Sequence, residues 1–158
     1  MKIEKLRVFN FKKFGFLDID FKDNVNVIIG DNESGKSTIL LAIDLVLNGS
    51  RNKVENLGLD NLFNTTIVDD FFEINKYEAL PKLTVEVYFN NIEDEDFYGR
   101  NNSLESDYYG ISLICEPRED LSRDIQEILN QNSNNFPFEY YSIYFQKFSG
   151  KPYLGFKK

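Results

Sequence analysis

The chain opens on alternation. "KIEKLRVF" carries Ile3, Leu6 and Val8 in a mostly strand-like run. "FGFLDIDF" alternates strictly, with Phe16, Asp18 and Asp20 on one side and Leu17, Ile19 and Phe21 on the other. A two-residue period is that of a strand with one buried face. A polar turn, "KDN", leads into "VNVIIG", where Val27, Ile28 and Ile29 in succession predict a third strand buried on both faces. The period then changes. From about Lys36 to Leu47 only Asp44 is polar past the first turn, which predicts a helix buried on most sides and stopped at Asn48-Gly49.

The pattern loosens over 51–80, where "NLGLDNLF" and "TTIVDDFFEIN" predict short helices or turns in an irregular connection. "LPKLTVEVYF" is a strong strand signal, with Leu83, Val85, Val87 and Phe89 set against Thr84, Glu86 and Tyr88. "NNIEDEDFYGRNNSLESD" is polar and acidic and predicts a surface loop, and "YGISLICEP" predicts another strand. Leu121, Ile125, Ile128 and Leu129 fall at helical spacing, so an amphipathic helix is expected near 119–131. "FEYYSIYFQKF" and "KPYLGF" predict closing strands, with a hairpin around Ser149-Gly150. The organisation expected is one lobe over 1–158. Its parts are a strand-strand-strand-loop-helix unit at 1–50, a connection at 51–80 and a β-rich part at 81–158.

Composition narrows the reading. At 158 residues the chain fits one domain or one lobe of a larger one. Fifteen Phe and nine Tyr supply enough aromatic bulk for a sizeable core, which excludes general disorder. A net charge of −8 argues against binding nucleic acid through bulk electrostatics; Lys12-Lys13 or Lys151-Lys157-Lys158 could contribute to a local basic patch, set against the plainer reading of ordinary solvated lysines. Cys115 is the single cysteine and sits in an apolar run, so a buried, inert thiol and a reducing compartment are expected. No apolar run approaches the roughly 18 residues needed to span a bilayer. The first ten residues lack the apolar core of a signal peptide, so a cytoplasmic location with no membrane partner is expected.

The candidate chemistry lies between the third strand and the helix. Gly30-Asp31-Asn32-Glu33-Ser34-Gly35-Lys36-Ser37 matches G-x-x-x-x-G-K-[ST]. The glycines let successive backbone N–H groups turn inward around a β-phosphate. The helix opening at Gly35-Lys36 turns the positive end of its dipole toward the anion. The Lys36 ammonium is placed for the β- and γ-phosphates, the Ser37 hydroxyl for Mg²⁺ and Thr38 for the α-phosphate. ATP and Mg²⁺ are the cofactors this implies, with Gly30, Asn32, Glu33, Ser34, Gly35, Lys36, Ser37 and Thr38 as the binding set. In a cradle of backbone amides, the Asp31 and Glu33 side chains can point outward.

The rest of a hydrolytic site is faint. The nearest approach to an apolar strand ending in acids is "TTIVDD", closing at Asp69-Asp70, and a helix or turn is the better reading there. There is no histidine to serve as a base and no "SGGQ"-like signature. Gln146, in "YFQKF", is a candidate sensor glutamine at the metal, set against the plainer reading of an ordinary strand residue. Metal-site Cys/His spacings, nucleophile triads and paired carboxylates are absent. A small nucleotide kinase or GTPase remains a different P-loop reading, but no "NKxD" occurs and the five arginines carry no motif.

The opening, with Asn10-Phe11, Phe14, Ile19, Phe21 and "GDNESGKST", resembles the start of ABC-type ATPase heads of the RecF/SMC kind. The later "LPKLTVEVYF", "YYGISLICEP" and "FEYYSIYFQKFSGKPY" resemble the OLD (overcoming lysogenization defect) family of ATP-dependent endonucleases. The resemblance implies an α/β fold: the first lobe of a P-loop NTPase of ABC head type, a mixed sheet around the motif helix with a β-rich C-terminal half. It implies that Lys12 and Lys13 approach the nucleotide, and that two heads sandwich ATP. Self-association or a second ATPase lobe is therefore expected, with DNA engaged only through a larger assembly. The family pattern continues into a signature motif, Walker B and a Toprim nuclease, none of which this sequence contains. Hydrolysis is thus expected to need residues outside it, with a role in DNA processing or anti-phage defence. The alternative is a free-standing regulatory module that docks on a full-length ATPase.

Overall fold

The computed structural model describes residues 2–21, 33–90, 92–131 and 134–155, with only the backbone at Glu33 and Ser34. The strand expected over 25–30 lies outside them, as do Gly30, Asp31 and Asn32. Strand β1 (Lys2–Phe11) and β2 (Phe14–Asp20) form an antiparallel hairpin. Then come helices α1 (Glu33–Asn48), α2 (Arg51–Leu57), α3 (Leu59–Leu62) and α4 (Thr65–Ile74). The β-rich part holds β3 (Leu83–Asn90), β4 (Tyr98–Gly99), β5 (Tyr108–Pro117), α5 (Ser122–Asn130) and β6 (Tyr141–Lys147). The strands join one sheet in the order β2-β1-β3-β5-β4, with β6 also on β5. Every pairing between these strands is antiparallel.

Register decides what each face of the sheet carries. One row across five strands reads Leu17, Val8, Val85, Leu113, Phe145, and the next apolar row begins Ile19, Leu6, Val87, Ile111. Against this face α1 lays Ile39, Ala42, Leu45 and Val46, all buried in the same cluster. The spacing of three and four residues puts these side chains on one helix stripe.

The alternate residues face the other way. The row Asp18, Arg7, Glu86, Ser112, Gln146 is polar from edge to edge. Glu86 is only 3% exposed. Its carboxylate accepts hydrogen bonds from Tyr88 Oη at 2.8 Å, Ser103 N at 2.7 Å and Ser103 Oγ at 2.5 Å. Arg7 donates through Nε to Ser103 Oγ at 2.8 Å and pairs with Asp18. Burial, and then the Glu86 charge, push the Tyr88 phenol well above its ordinary value.

Several expectations need correcting. The helix α1 starts at Glu33, one turn earlier than its apolar run, and is buried on one stripe only: Leu40 is 52% exposed, and Leu41, Ile43 and Leu47 are half-buried. The segment 91–107 is no featureless loop. Phe97 enters the core, β4 pairs with β5, and Ser103 closes on Glu86. Strand β6 begins at Tyr141, because Phe138–Tyr140 form a 3-10 turn. The described part of "KPYLGF", residues 151–155, is not a strand. After the turn at Ser149-Gly150 only a Gln146–Pro152 bridge forms, since Pro152 has no N–H to donate and Gly155 takes φ +96°. Asp69 and Asp70 sit within α4, so "TTIVDD" is helical as read. Cys115 is fully buried, as expected.

Two outcomes follow from this packing. Glu86→Ala strands the Tyr88 hydroxyl, the Ser103 amide and the Arg7 charge, and is expected to cost about 3 kcal/mol in urea unfolding. Thr84→Ala, half-buried on the same face of the same strand, is expected to cost about 1 kcal/mol or less; equal losses would mean that the network adds nothing to stability. The second outcome concerns pH. Burial, with Glu116 beside it, raises the Cys115 thiol from 9.0 to about 12, and burial raises Tyr153 from 10.0 to about 12. Both groups hold their protons longer in the folded chain, so the unfolded chain ionises first. Their contribution is complete below pH 9 and is lost as pH climbs toward 12. The urea midpoint should fall with rising pH from about 9, and in Cys115→Ala from about 10. Parallel curves for the two proteins would rule out the thiol as the source.

Candidate phosphate-binding site

The motif residues meet the described structure at the start of α1. Gly35 is buried, Thr38 is 9% exposed and Ile39 6%, while Lys36 and Ser37 are exposed. The pattern follows from the helix period. Positions 35, 38, 39, 42, 45 and 46 lie on the stripe that meets the sheet, and 36, 37, 40 and 44 lie away from it. The apolar stripe therefore fixes which way the first turn faces. It leaves the Lys36 ammonium and the Ser37 hydroxyl exposed to solvent at the N-terminal end of the helix, where the dipole favours an anion. This donor set fits a phosphate chain and a hard, oxygen-seeking cation.

The Lys12–Lys13 turn joins β1 to β2, and the structure ties it to the connection rather than to α1. Lys12 takes φ +53° and donates its N–H to Leu62 O at 2.7 Å; Asn64 N donates to Asn10 O at 2.9 Å; Asn10 Nδ2 donates to Lys82 O at 2.7 Å. Lys12 is half-buried, while Lys13 is exposed with its Nζ 5.4 Å from the Phe14 ring centre. Gln146 is not brought to the motif. It pairs with Ser112 in the polar row, on the face of the sheet turned away from α1. Phe145, one residue earlier, faces the helix, and strand alternation sends the glutamine the other way.

Sequence reading missed what happens at the far end of α1. Gly49 N donates to Leu45 O at 3.3 Å and to Val46 O at 3.2 Å, and the Tyr153 hydroxyl donates to Leu47 O at 2.5 Å. The tyrosine lies 106 residues from its partner, so no local pattern could connect them. A separate cavity of about 380 Å³ is lined by Tyr77, Glu78, Glu116, Arg118, Glu119 and Asp120 among others and contains no motif residue. Two of its charge pairs are already closed, Lys82–Glu116 at 3.0 Å and Arg118–Asp120 at 2.8 Å. Among the described residues no cluster of His, Cys, Asp and Glu could hold a metal ion, and no helix is long and apolar enough to cross a membrane.

A family model described as an AAA domain matches residues 5–147, almost the whole chain. The chain is similar to the DNA replication and repair protein RecF of Oceanobacillus iheyensis, 46% identical over 43 residues, which are 27% of this chain and 12% of that protein. RecF of Clostridioides difficile is 30% identical over 83 residues, 51% of this chain and 22% of that one. The DNA double-strand break repair Rad50 ATPase of Pyrococcus abyssi is 46% identical over 43 residues, 27% of this chain and 5% of that one. The chain thus spans a small part of the length of these relatives. A solved SMC ATPase chain is similar at a TM-score of 0.46 and 24% identity, covering 82% of this chain and 78% of that one. With the glycine-lysine-serine turn opening a helix packed on the sheet, the match over residues 5–147 makes this chain a member of the AAA domain family, with the fold of a P-loop ATPase segment.

Proposed function

We propose that the chain is the ATP-binding N-terminal lobe of a RecF-like ATPase acting in DNA processing, and more narrowly of an OLD-type protein acting in DNA processing or phage defence. One observation carries the reading. The motif helix is anchored on the sheet by one stripe, and its first turn leaves Lys36 and Ser37 exposed. Gly30, Asn32, Glu33, Ser34 and Gly35 are assigned to the cradle, largely through their backbone amides. Lys36 takes the β- and γ-phosphates, and Thr38 stands toward the α-phosphate. Lys12 and Lys13 are assigned to the nucleotide's flank. Ser37 holds Mg²⁺, which when bound neutralises phosphate charge.

Hydrolysis is assigned to residues outside this chain, contributed by a second lobe or a second ATPase head. The exposed Leu40 and the half-buried Leu41, Ile43 and Leu47 beside the motif support such a covering partner. DNA would be engaged only by that larger assembly, since this chain is acidic. The same surface supports the second reading, a regulatory module that docks on a full-length ATPase. The cytoplasm is the compartment this function requires.

Titration with Mg-ATP tests the assignment. Lys36→Ala removes a charge-assisted contact worth roughly 1.5–3 kcal/mol, so its Kd should rise about 10- to 100-fold. Its unfolding midpoint should stay unchanged, because Lys36 is exposed. Ser37→Ala should weaken Mg-ATP while leaving metal-free ATP little affected. Binding that ignores Lys36 would reject the cradle. Lys36-dependent turnover by this chain alone would reject the dependence on outside residues.

A further inference from the structure

The C-terminal end of α1 is held by a crossing of two backbones. At Gly49, with φ +59°, an added Cβ would stand 2.7 Å from Gly155 N; at Gly155, with φ +96°, it would stand 2.9 Å from Asn48 O. Neither position has room for a side chain, and both take backbone angles that favour glycine. Beside the crossing, Tyr153 is 2% exposed and its hydroxyl caps the Leu47 carbonyl. With Gly49 N on Leu45 O and Val46 O, this gives three of the last four helix carbonyls a partner.

The strap that carries Tyr153 is itself fastened to the sheet. Lys147 N donates to Lys151 O at 2.8 Å, and Tyr153 N donates to Phe145 O at 3.1 Å. The Tyr153 ring meets Phe97 edge-on at 6.2 Å, and Lys147 Nζ sits 4.7 Å from the centre of that Phe97 ring. The end of the motif helix is thereby tied to β6 by hydrogen bonds, and to the segment before β4 by ring packing.

We infer that Tyr153 is a positioning residue for the phosphate-binding turn, acting through α1; the inference rests on the nucleotide reading above. The stripe of Ile39, Ala42, Leu45 and Val46 sets which face of α1 meets the sheet. Apolar contact is non-directional, so it sets the face of α1 more sharply than the axial position. A hydrogen bond and a glycine-on-glycine crossing are directional and short-ranged, so they set the axial position. A phosphate cradle tolerates about 0.5 Å of misplacement. Over the 16 residues of α1 the helix is a stiff rod, and a slip at Leu47 arrives at Lys36 undiminished.

The experiment compares two tyrosines in the full chain. Tyr153→Phe deletes the hydroxyl on α1. Tyr141→Phe deletes a matched one, buried and donating to Pro81 O at 2.7 Å, away from α1. Mg-ATP affinity is measured well below the unfolding midpoint, and hydrogen exchange is measured along α1. Both variants should lose similar stability. Only Tyr153→Phe should raise the Kd, by about 5- to 10-fold, and speed exchange of the α1 amides. Wild-type affinity in Tyr153→Phe, or an equal loss in Tyr141→Phe, overturns the inference and leaves the nucleotide reading standing. If the wild type binds no Mg-ATP, the nucleotide reading falls and the positioning role falls with it. Equal α1 exchange in the two variants overturns the clamp itself.

Discussion

Everything in this chain hangs on the burial of one stripe of α1 against one face of the sheet. Leu45 and Val46 alone contribute about 1.5–3 kcal/mol each by leaving water. The same stripe orients the helix about its axis, so the residue types that stabilise the lobe also decide that Lys36 and Ser37 face outward. Stability and site geometry are therefore not independent in this protein. A substitution that rotated α1 to bury Leu40 would carry the lysine toward the sheet. Site and core are read from a single period of 3.6 residues.

The two faces of the sheet are built on different principles. Toward α1 the rows are aliphatic and need only volume and register. Away from α1, Glu86 is buried with its charge compensated by Arg7 and its lone pairs filled by Tyr88 and Ser103. Such a row is costly unless complete. Completeness requires the 99–106 segment to close over the sheet, so a stretch rich in polar residues is held by a side chain it covers.

Much of this was legible in the sequence, and the rest was hidden for physical reasons. Period-two runs marked β2 and β3, and short apolar stretches marked β1 and β5, because each lays a face on the core. The motif and its helix were plain because phosphate binding restricts both residue types and spacing. The start of α1 was misjudged because the motif's own polar residues form its first turn, where no apolar period exists. Burial on all sides was overestimated because an apolar residue such as Leu40 does not declare whether it is covered. The Glu86 row and the Tyr153 cap escaped because each joins segments far apart in sequence. Glu86 to Ser103 spans 17 residues and Tyr153 to Leu47 spans 106.

The contrast between the two ends of α1 bears on how the lobe works. At its C-terminus the carbonyls are taken up by Gly49 and Tyr153, and glycines let two backbones meet. At its N-terminus the first turn is polar in sequence, and the Lys36 and Ser37 side chains are exposed. Fixing the far end holds the exposed Lys36 and Ser37 in place along the helix axis. The apolar surface left along α1, from Leu40 to Leu47, lies between these two ends. A partner that covered it would touch the motif's own helix, so its arrival and the occupancy of the phosphate site would bear on the same rigid element.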